Sequence, residues 1–306
     1  MSSPRVAIGP NNSEPVSQAV RDGGGTPVGL DDQADALVWL VPSDAEGLRR
    51  KLADDASVRW IQLPYAGVEG PAAAGVFDPA WTWTCAKGAY AEPVAEHALM
   101  LALAGLRVLP ERIAARSWGK PAGISLYDQP VTILGGGGIA TKLLELTAPL
   151  RVRATVVRRN SEPVAGAERT LPTSRLHEAL ADALVVFVAL ALTPETTGII
   201  GADEFAVMRP DSWLVNVARG RHVDTDALVA ALDSATIAGA GLDVTEPEPL
   251  PDGHPLWGRP NCIITPHTAD TEEMIQAMLA ARIRDNVARF AAGEPLEGVI
   301  DPVAGY

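Results

Sequence analysis

Val131-Thr132-Ile133-Leu134-Gly135-Gly136-Gly137-Gly138-Ile139-Ala140 is the stretch on which the fold turns. A short apolar, β-branched run leads into Gly-x-Gly-x-x-Ala, and a helix-like pattern follows to about Leu146. Four glycines alone read as a flexible turn; a strand before them and a helix after them mark a dinucleotide-binding loop. Gly135 permits the tight turn. Gly137 lets the backbone approach a pyrophosphate, and Ala140 allows close helix–strand packing. The helix N-terminus favours the anion.

The next strand, Arg153–Val157, continues into Arg158-Arg159-Asn160. A fold specific for NAD places Asp or Glu at that strand end, where the carboxylate bonds the ribose 2′-hydroxyl and repels a 2′-phosphate. Here two arginines stand instead, and their planar forks suit phosphate. The expectation is NADP(H) over NAD(H); the competing reading leaves Arg158 and Arg159 as solvated surface residues.

Outward from this loop, strand-like and helix-like segments alternate. Arg5–Gly9, Ala36–Val41 and Val58–Leu63 read as strands, with a helix at Ala45–Leu52 capped by Asp44. Residues 64–79, rich in Gly, Ala and Pro, read as a loop and a turn. A long helix is expected at Ala91–Arg107, broken near Pro110. Further strands fall at Leu184–Ala189, Trp213–Val217, Ile237–Asp243 and Cys262–Thr265. Helices fit at 174–182, 203–207 and 224–233, and a last one at Thr271–Ala292 before Gly293 and Pro295. The fold class is α/β: two Rossmann-like or flavodoxin-like domains, parallel sheets with flanking helices, and a cleft between them.

The 306 residues suffice for two domains. There is no run of 18 apolar residues free of charge and no signal peptide, so no membrane span is expected. Two cysteines, Cys85 and Cys262, make no disulfide framework and point to a reducing cytoplasm. A net charge of −13 argues against nucleic-acid binding and requires a local cation to draw any anionic substrate. No His/Cys cluster has metal-ligand spacing.

Three ionisable residues close successive apolar runs: Arg219 after Trp213–Ala218, Glu248 after Ala240–Pro247, and His267 after Cys262–Pro266. Singly, each has a bland reading as a surface, loop or capping residue. Together a cation, a carboxylate and an imidazole at strand ends make a reaction centre for hydride transfer on a 2-hydroxy acid. Glu246 competes with Glu248 for the carboxylate role. His97 on its helix is expected to pack or bond structurally; His177, His222 and His254 are expected on the surface or in loops. The tryptophans are mostly core candidates, with Trp118 and Trp257 at a subunit interface or a substrate pocket.

The chain resembles the D-isomer-specific 2-hydroxyacid dehydrogenases, the group of the glyoxylate/hydroxypyruvate reductases and phosphoglycerate dehydrogenases. The resemblance rests on Ala95-Glu96-His97-Ala98, the glycine loop, Leu192-Thr193-Pro194-Glu195-Thr196, Leu214–Gly220 with Val223-Asp224, Gly241-Leu242-Asp243-Val244 with Glu248-Pro249-Leu250, and Thr265-Pro266-His267. It implies that Arg219 binds the substrate carboxylate, that His267 is the general acid in reduction, and that Glu248, directly before Pro-Leu, orients His267. It implies cofactor contacts from Gly135, Gly137, Gly138, Ile139, Arg158, Arg159, Thr193 and Ala218, and from Asp243 to the nicotinamide carboxamide. Backbone N–H groups of Ala66, Gly67 and Val68 would grip the substrate carboxylate. The chain departs from the family pattern at Ala140, Gly138, Ala191 and Cys85, none of which touches the trio. Lys87 has two readings, facing the cleft or solvated.

The implied organisation is a discontinuous substrate domain, 1–91 plus 284–306, and a dinucleotide-binding domain, 92–283. The two long helices would form the hinge, and the molecule would be a homodimer. The expected reaction is reduction of a small 2-keto acid such as glyoxylate or hydroxypyruvate. Two rivals are a 3-phosphoglycerate dehydrogenase, disfavoured because the chain ends at Tyr306 without an appended regulatory domain, and a redox-sensing corepressor of the C-terminal-binding type, disfavoured for want of a partner-binding segment.

Overall fold

The computed structural model describes residues 3–11 and 13–302. They form two compact units, one from the described residues of Met1–Tyr90 and Thr271–Tyr306, the other Ala91–Asp270.

In the first unit the apolar runs become five parallel strands: β1 (Arg5–Gly9), β2 (Thr26–Val28), β3 (Ala36–Trp39), β4 (Trp60–Gln62) and β5 (Thr82–Thr84), in the order β2-β1-β3-β4-β5. That is the flavodoxin-like order. Side chains alternate across the sheet. Val6, Ile8, Ala36, Val38 and Trp60 pack with Val16 and Val20 of α1 (Glu14–Asp22), while Ala7, Leu37 and Ile61 pack with Leu48 and Leu52 of α2 (Ala45–Asp54). Both faces are covered, which is why the strands read as unbroken apolar runs. Asp44 caps α2, its Oδ1 accepting from the Gly47 N–H at 2.8 Å. The expected loop at 64–79 contains a short helix, α3 (Glu69–Ala73).

The C-terminal helix, Glu272–Ala292, belongs entirely to this unit. The expected boundary at about 284 falls inside it. The helix packs as one piece: Ile275 lies against Ala86 and Tyr90, and Ile283 and Val287 fill the core beside Val16 and Val20. The chain beyond it pairs antiparallel with the β5 edge through Cys85 N–H to Gly298 O and Ile300 N–H to Trp83 O, both 2.9 Å.

The second unit opens with α4 (Ala91–Leu106). Val108, in the left-handed region at φ 49°, separates it from α5 (Leu109–Ala114), whose first turn holds Pro110. Then come β6 (Pro130–Leu134), α6 (Gly138–Thr147), β7 (Arg153–Arg158), β8 (Arg169–Pro172), α7 (Leu176–Ala181), β9 (Val185–Val188), α8 (Ala202–Val207), β10 (Trp213–Asn216), α9 (Thr225–Asp233), β11 (Gly239–Leu242) and β12 (Cys262–Ile264). The seven strands are parallel in the order β12-β11-β10-β9-β6-β7-β8. Starting from β6 this is the Rossmann order with one strand added, and the order reverses between β6 and β9. Ligands of such sheets bind at the carboxyl ends of the strands at that reversal. β9, β10 and β11 are wholly buried, and the sheet lies between α4 and α6 on one face and α7, α8 and α9 on the other.

Candidate active site

The glycine loop occupies the reversal point. Gly135 has φ 112°, and a Cβ there would lie 2.3 Å from Ala189 O, so the turn after β6 abuts the turn after β9. Gly137 caps α6, and a Cβ on it would meet nothing within 4 Å. The space before the N-terminus of this ten-residue helix is therefore clear, and its first N–H groups are available to an anion. Ala140 is fully buried beside Ile133 and Val156. At the end of β7 the Arg158 side chain runs along the loop, its Cδ and Nε 3.2 and 3.4 Å from where a Gly136 Cβ would be. Its pairing with Glu162 is loose, at 3.8 Å. Glu195, in the turn after β9, is held below the usual carboxylate range, first by a hydrogen bond from Thr193 and also by the charge of Arg159. Arg158, Arg159, Thr193 and the glycine loop thus gather at one edge. A nicotinamide dinucleotide fits these residues.

The trio stands on the turns after β10, β11 and β12. Asn216 ends β10 and clamps the Arg219 turn: its Oδ1 accepts from Ala218 N–H at 3.0 Å and its Nδ2 donates to Arg219 O at 2.9 Å. The Arg219 guanidinium donates to Ala218 O at 2.7 Å, and Ala218 itself is buried. A Cβ on Gly220 would sit 1.9 Å from Thr245 O, so the Arg219 turn lies against the turn that carries Glu248. Glu248 Oε1 meets His267 Nδ1 at 2.6 Å. It is Glu248, not Glu246, that reaches the imidazole. A carboxylate there fixes the proton on Nδ1 and leaves Nε2 for a reacting oxygen. His267 has φ 49°, an uncommon conformation for a non-glycine residue. Its N–H donates to Asp243 O at 2.8 Å.

The Asp243 carboxylate is engaged inside the protein. It accepts from Thr265 Oγ1 at 2.5 Å, Thr268 N–H at 3.0 Å and Ala269 N–H at 3.1 Å, and His97 Nε2 lies 3.3 Å away. Burial pushes its pKa up, but these hydrogen bonds outweigh burial and bring it down to about 2. Asp243 is thus buried and holds the His267 turn. Burial pushes the Asp270 carboxyl up; the charges of His267 and Arg219 oppose that, and Asp243 adds to it.

The other expected residues divide. His222 lies in the turn after Arg219, as one of its two expected placements had it, but is fully buried and not on the surface: Nδ1 and Nε2 lie 2.9 and 3.2 Å from Thr196 O and Leu190 O, tying the Thr193 turn to the Arg219 turn. Its partners are backbone carbonyls, which no residue pattern advertises. His177 pairs with Glu204 at 2.8 Å on the surface, and His254 is half-buried. Lys87 donates to Val299 O at 3.1 Å. Ala66, Gly67 and Val68 belong to the first unit, where Tyr90 OH bonds Pro64 O and Ala86 N–H donates to Tyr65 O at 3.1 Å. Trp118 and Trp257 are exposed, while Trp39, Trp60, Trp83 and Trp213 are core. Among the described residues, no group of three or more His, Cys, Asp or Glu side chains is arranged to hold a metal, and no helix is long and apolar enough to cross a membrane.

Residues 97–269 match the family model of the D-isomer specific 2-hydroxyacid dehydrogenase, NAD binding domain. The chain belongs to this family. An uncharacterized protein of Corynebacterium melassecola is 40% identical over 256 residues, 82% of this chain and 84% of that one. The human glyoxylate reductase/hydroxypyruvate reductase is 34% identical over 215 residues, 67% of this chain and 65% of that one. A family member from Xanthobacter autotrophicus Py2, solved in complex with NADPH and MES, superposes with a TM-score of 0.85 at 26% identity, covering 99% of this chain and 100% of that one. As a family member, the chain is an NAD(P)-binding oxidoreductase that reduces a keto acid to a 2-hydroxy acid.

Proposed function

We propose that the chain reduces a small 2-keto acid, glyoxylate or hydroxypyruvate in size, to the D-2-hydroxy acid, with NADPH preferred to NADH. The observation that carries the reaction is the 2.6 Å contact between His267 and Glu248 on a turn adjoining that of Arg219. Arg219 binds the substrate carboxylate and polarises the neighbouring carbonyl. The reduced nicotinamide, when bound, supplies the hydride. His267 protonates the carbonyl oxygen from Nε2, and Glu248 stabilises the imidazolium and holds the ring in place. In the same reading Ala66, Gly67 and Val68 contribute N–H groups to the carboxylate. Gly135, Gly137, Gly138, Ile139, Thr193, Ala218 and Asp243 hold the dinucleotide, and the first unit serves as the substrate domain. The human relative's name supports the size of the substrate.

The cofactor preference rests on Arg158 and Arg159, which stand where an acid would repel a 2′-phosphate. The NADPH bound to the Xanthobacter protein is in keeping with it. We also place the enzyme in a reducing cytoplasm, as the free, buried Cys85 and Cys262 suggest, and as a homodimer formed through its second unit. The test is a panel of 2-keto acids, each assayed with NADPH and NADH by loss of nicotinamide absorbance. Glyoxylate or hydroxypyruvate should give the highest kcat/KM, with NADPH ahead of NADH. A ratio favouring NADH would defeat the cofactor assignment, and indifference to His267→Ala would defeat the proton donor.

A further inference from the structure

His97 is a histidine that the reaction outlined above does not use. It lies on α4 at helical spacing from the buried Val94 and Leu101, and is itself largely buried, its side chain 15% exposed. An imidazole placed there needs partners, since a buried polar group without one costs free energy. Its Nε2 lies 2.9 Å from Thr265 Oγ1 and 3.3 Å from Asp243 Oδ1.

Proton counting fixes the direction of these bonds. Thr265 Oγ1 has a single hydrogen, and it is committed to the ionised Asp243 Oδ1 at 2.5 Å. The hydroxyl can only accept from His97, so His97 carries its proton on Nε2. The chain of donors runs from His97 to Thr265 to Asp243. Asp243 in turn brackets the His267 residue: its backbone oxygen accepts from His267 N–H, and its carboxylate accepts from Thr268 and Ala269 N–H. These bonds hold His267 in its left-handed conformation, which a non-glycine residue adopts only when its surroundings demand it.

We propose that His97 is a positioning residue for the reaction: through Thr265 and Asp243 it holds the His267 turn in the geometry that delivers a proton. The inference rests on the reading of His267 as proton donor. Arg219 is held separately by Asn216, so the loss of His97 should disturb proton delivery and leave carboxylate binding in place.

The test is steady-state reduction of glyoxylate or hydroxypyruvate by His97→Ala, His97→Gln, Thr265→Val and the His97→Ala/Thr265→Val double variant. Misplacement of a reacting group by about 1 Å costs on the order of 100-fold, so kcat should fall about 10- to 100-fold in His97→Ala, with KM for the keto acid changed by less than about twofold. Gln places an amide N–H near the position of Nε2 and should keep kcat within about threefold of the parent. Thr265→Val should match His97→Ala, and the double variant should be no worse than either, because all three break one chain. Unchanged kcat in His97→Ala overturns the positioning role alone, as does equal loss in Ala and Gln variants with KM rising in step. A parent enzyme that reduces no keto acid overturns the proposed substrate and this inference together.

Discussion

Asp243 shows how one side chain can matter more for where it holds its neighbours than for what it touches in solvent. Its carboxyl lies at about 2 against an ordinary 3.8, because hydrogen bonds from His97, Thr265, Thr268 and Ala269 outweigh the opposing effect of burial. A carboxyl whose pKa is depressed by folding adds stability above its unfolded value. That stability is lost as pH falls toward the folded value. The shift corresponds to about 2 kcal/mol. The parent should therefore lose melting temperature between about pH 4 and pH 2 more steeply than Asp243→Asn, which has no proton to take up there. Parallel melting curves for the two proteins across that range would show that the hydrogen bonds do not favour the charged form.

At the scale of elements, the turn between β6 and α6 carries the fold and the site together. Gly135→Ala would place a Cβ 2.3 Å from the backbone oxygen of Ala189, at φ 112°, and neither atom can move without separating β6 from β9. It should cost about 2 kcal/mol or more. Gly137→Ala meets nothing within 4 Å and should keep the parent's urea midpoint while weakening NADPH binding, read by fluorescence. Equal midpoints for the two variants would remove the steric argument. This turn was legible in the sequence because each glycine has a distinct physical reason to be there. The interior strands were legible because burial on both faces leaves an unbroken apolar run. β2 and β8 were not, for they are short, partly exposed edge strands, each containing a proline. α1 was legible too, since its buried Val16, Ala19 and Val20 recur at helical spacing, yet it is absent from the expected elements. Arg219, Glu248 and His267 stood out as ionisable residues that follow apolar runs. Asn216 and His222 did not stand out, because their partners are backbone groups supplied by the turn geometry itself. His97 meets Thr265 across 168 residues of chain, a distance that only the folded sheet closes.

At the scale of the whole molecule, the second unit exposes large apolar side chains on and after α5: Ile113 at 72%, Trp118 at 97% and Tyr127 at 49%. A second copy of the chain is the occupant proposed for them. Sedimentation should give a dimer at micromolar concentration, and Trp118→Glu should shift it toward monomer; a parent that sediments as a monomer refutes the pairing. The C-terminal helix has a different consequence. Ile283 and Val287 complete the core around Val16, Val20 and Trp60, yet the whole of Ala91–Asp270 lies between them in the chain. During synthesis the first strands emerge with α1 and α2 but without Ile283 and Val287, and that part of their core stays open while the middle of the protein is made. The ribosome thus releases a complete interior segment before a complete beginning, and the N-terminal sheet depends on a helix made only after all of Ala91–Asp270.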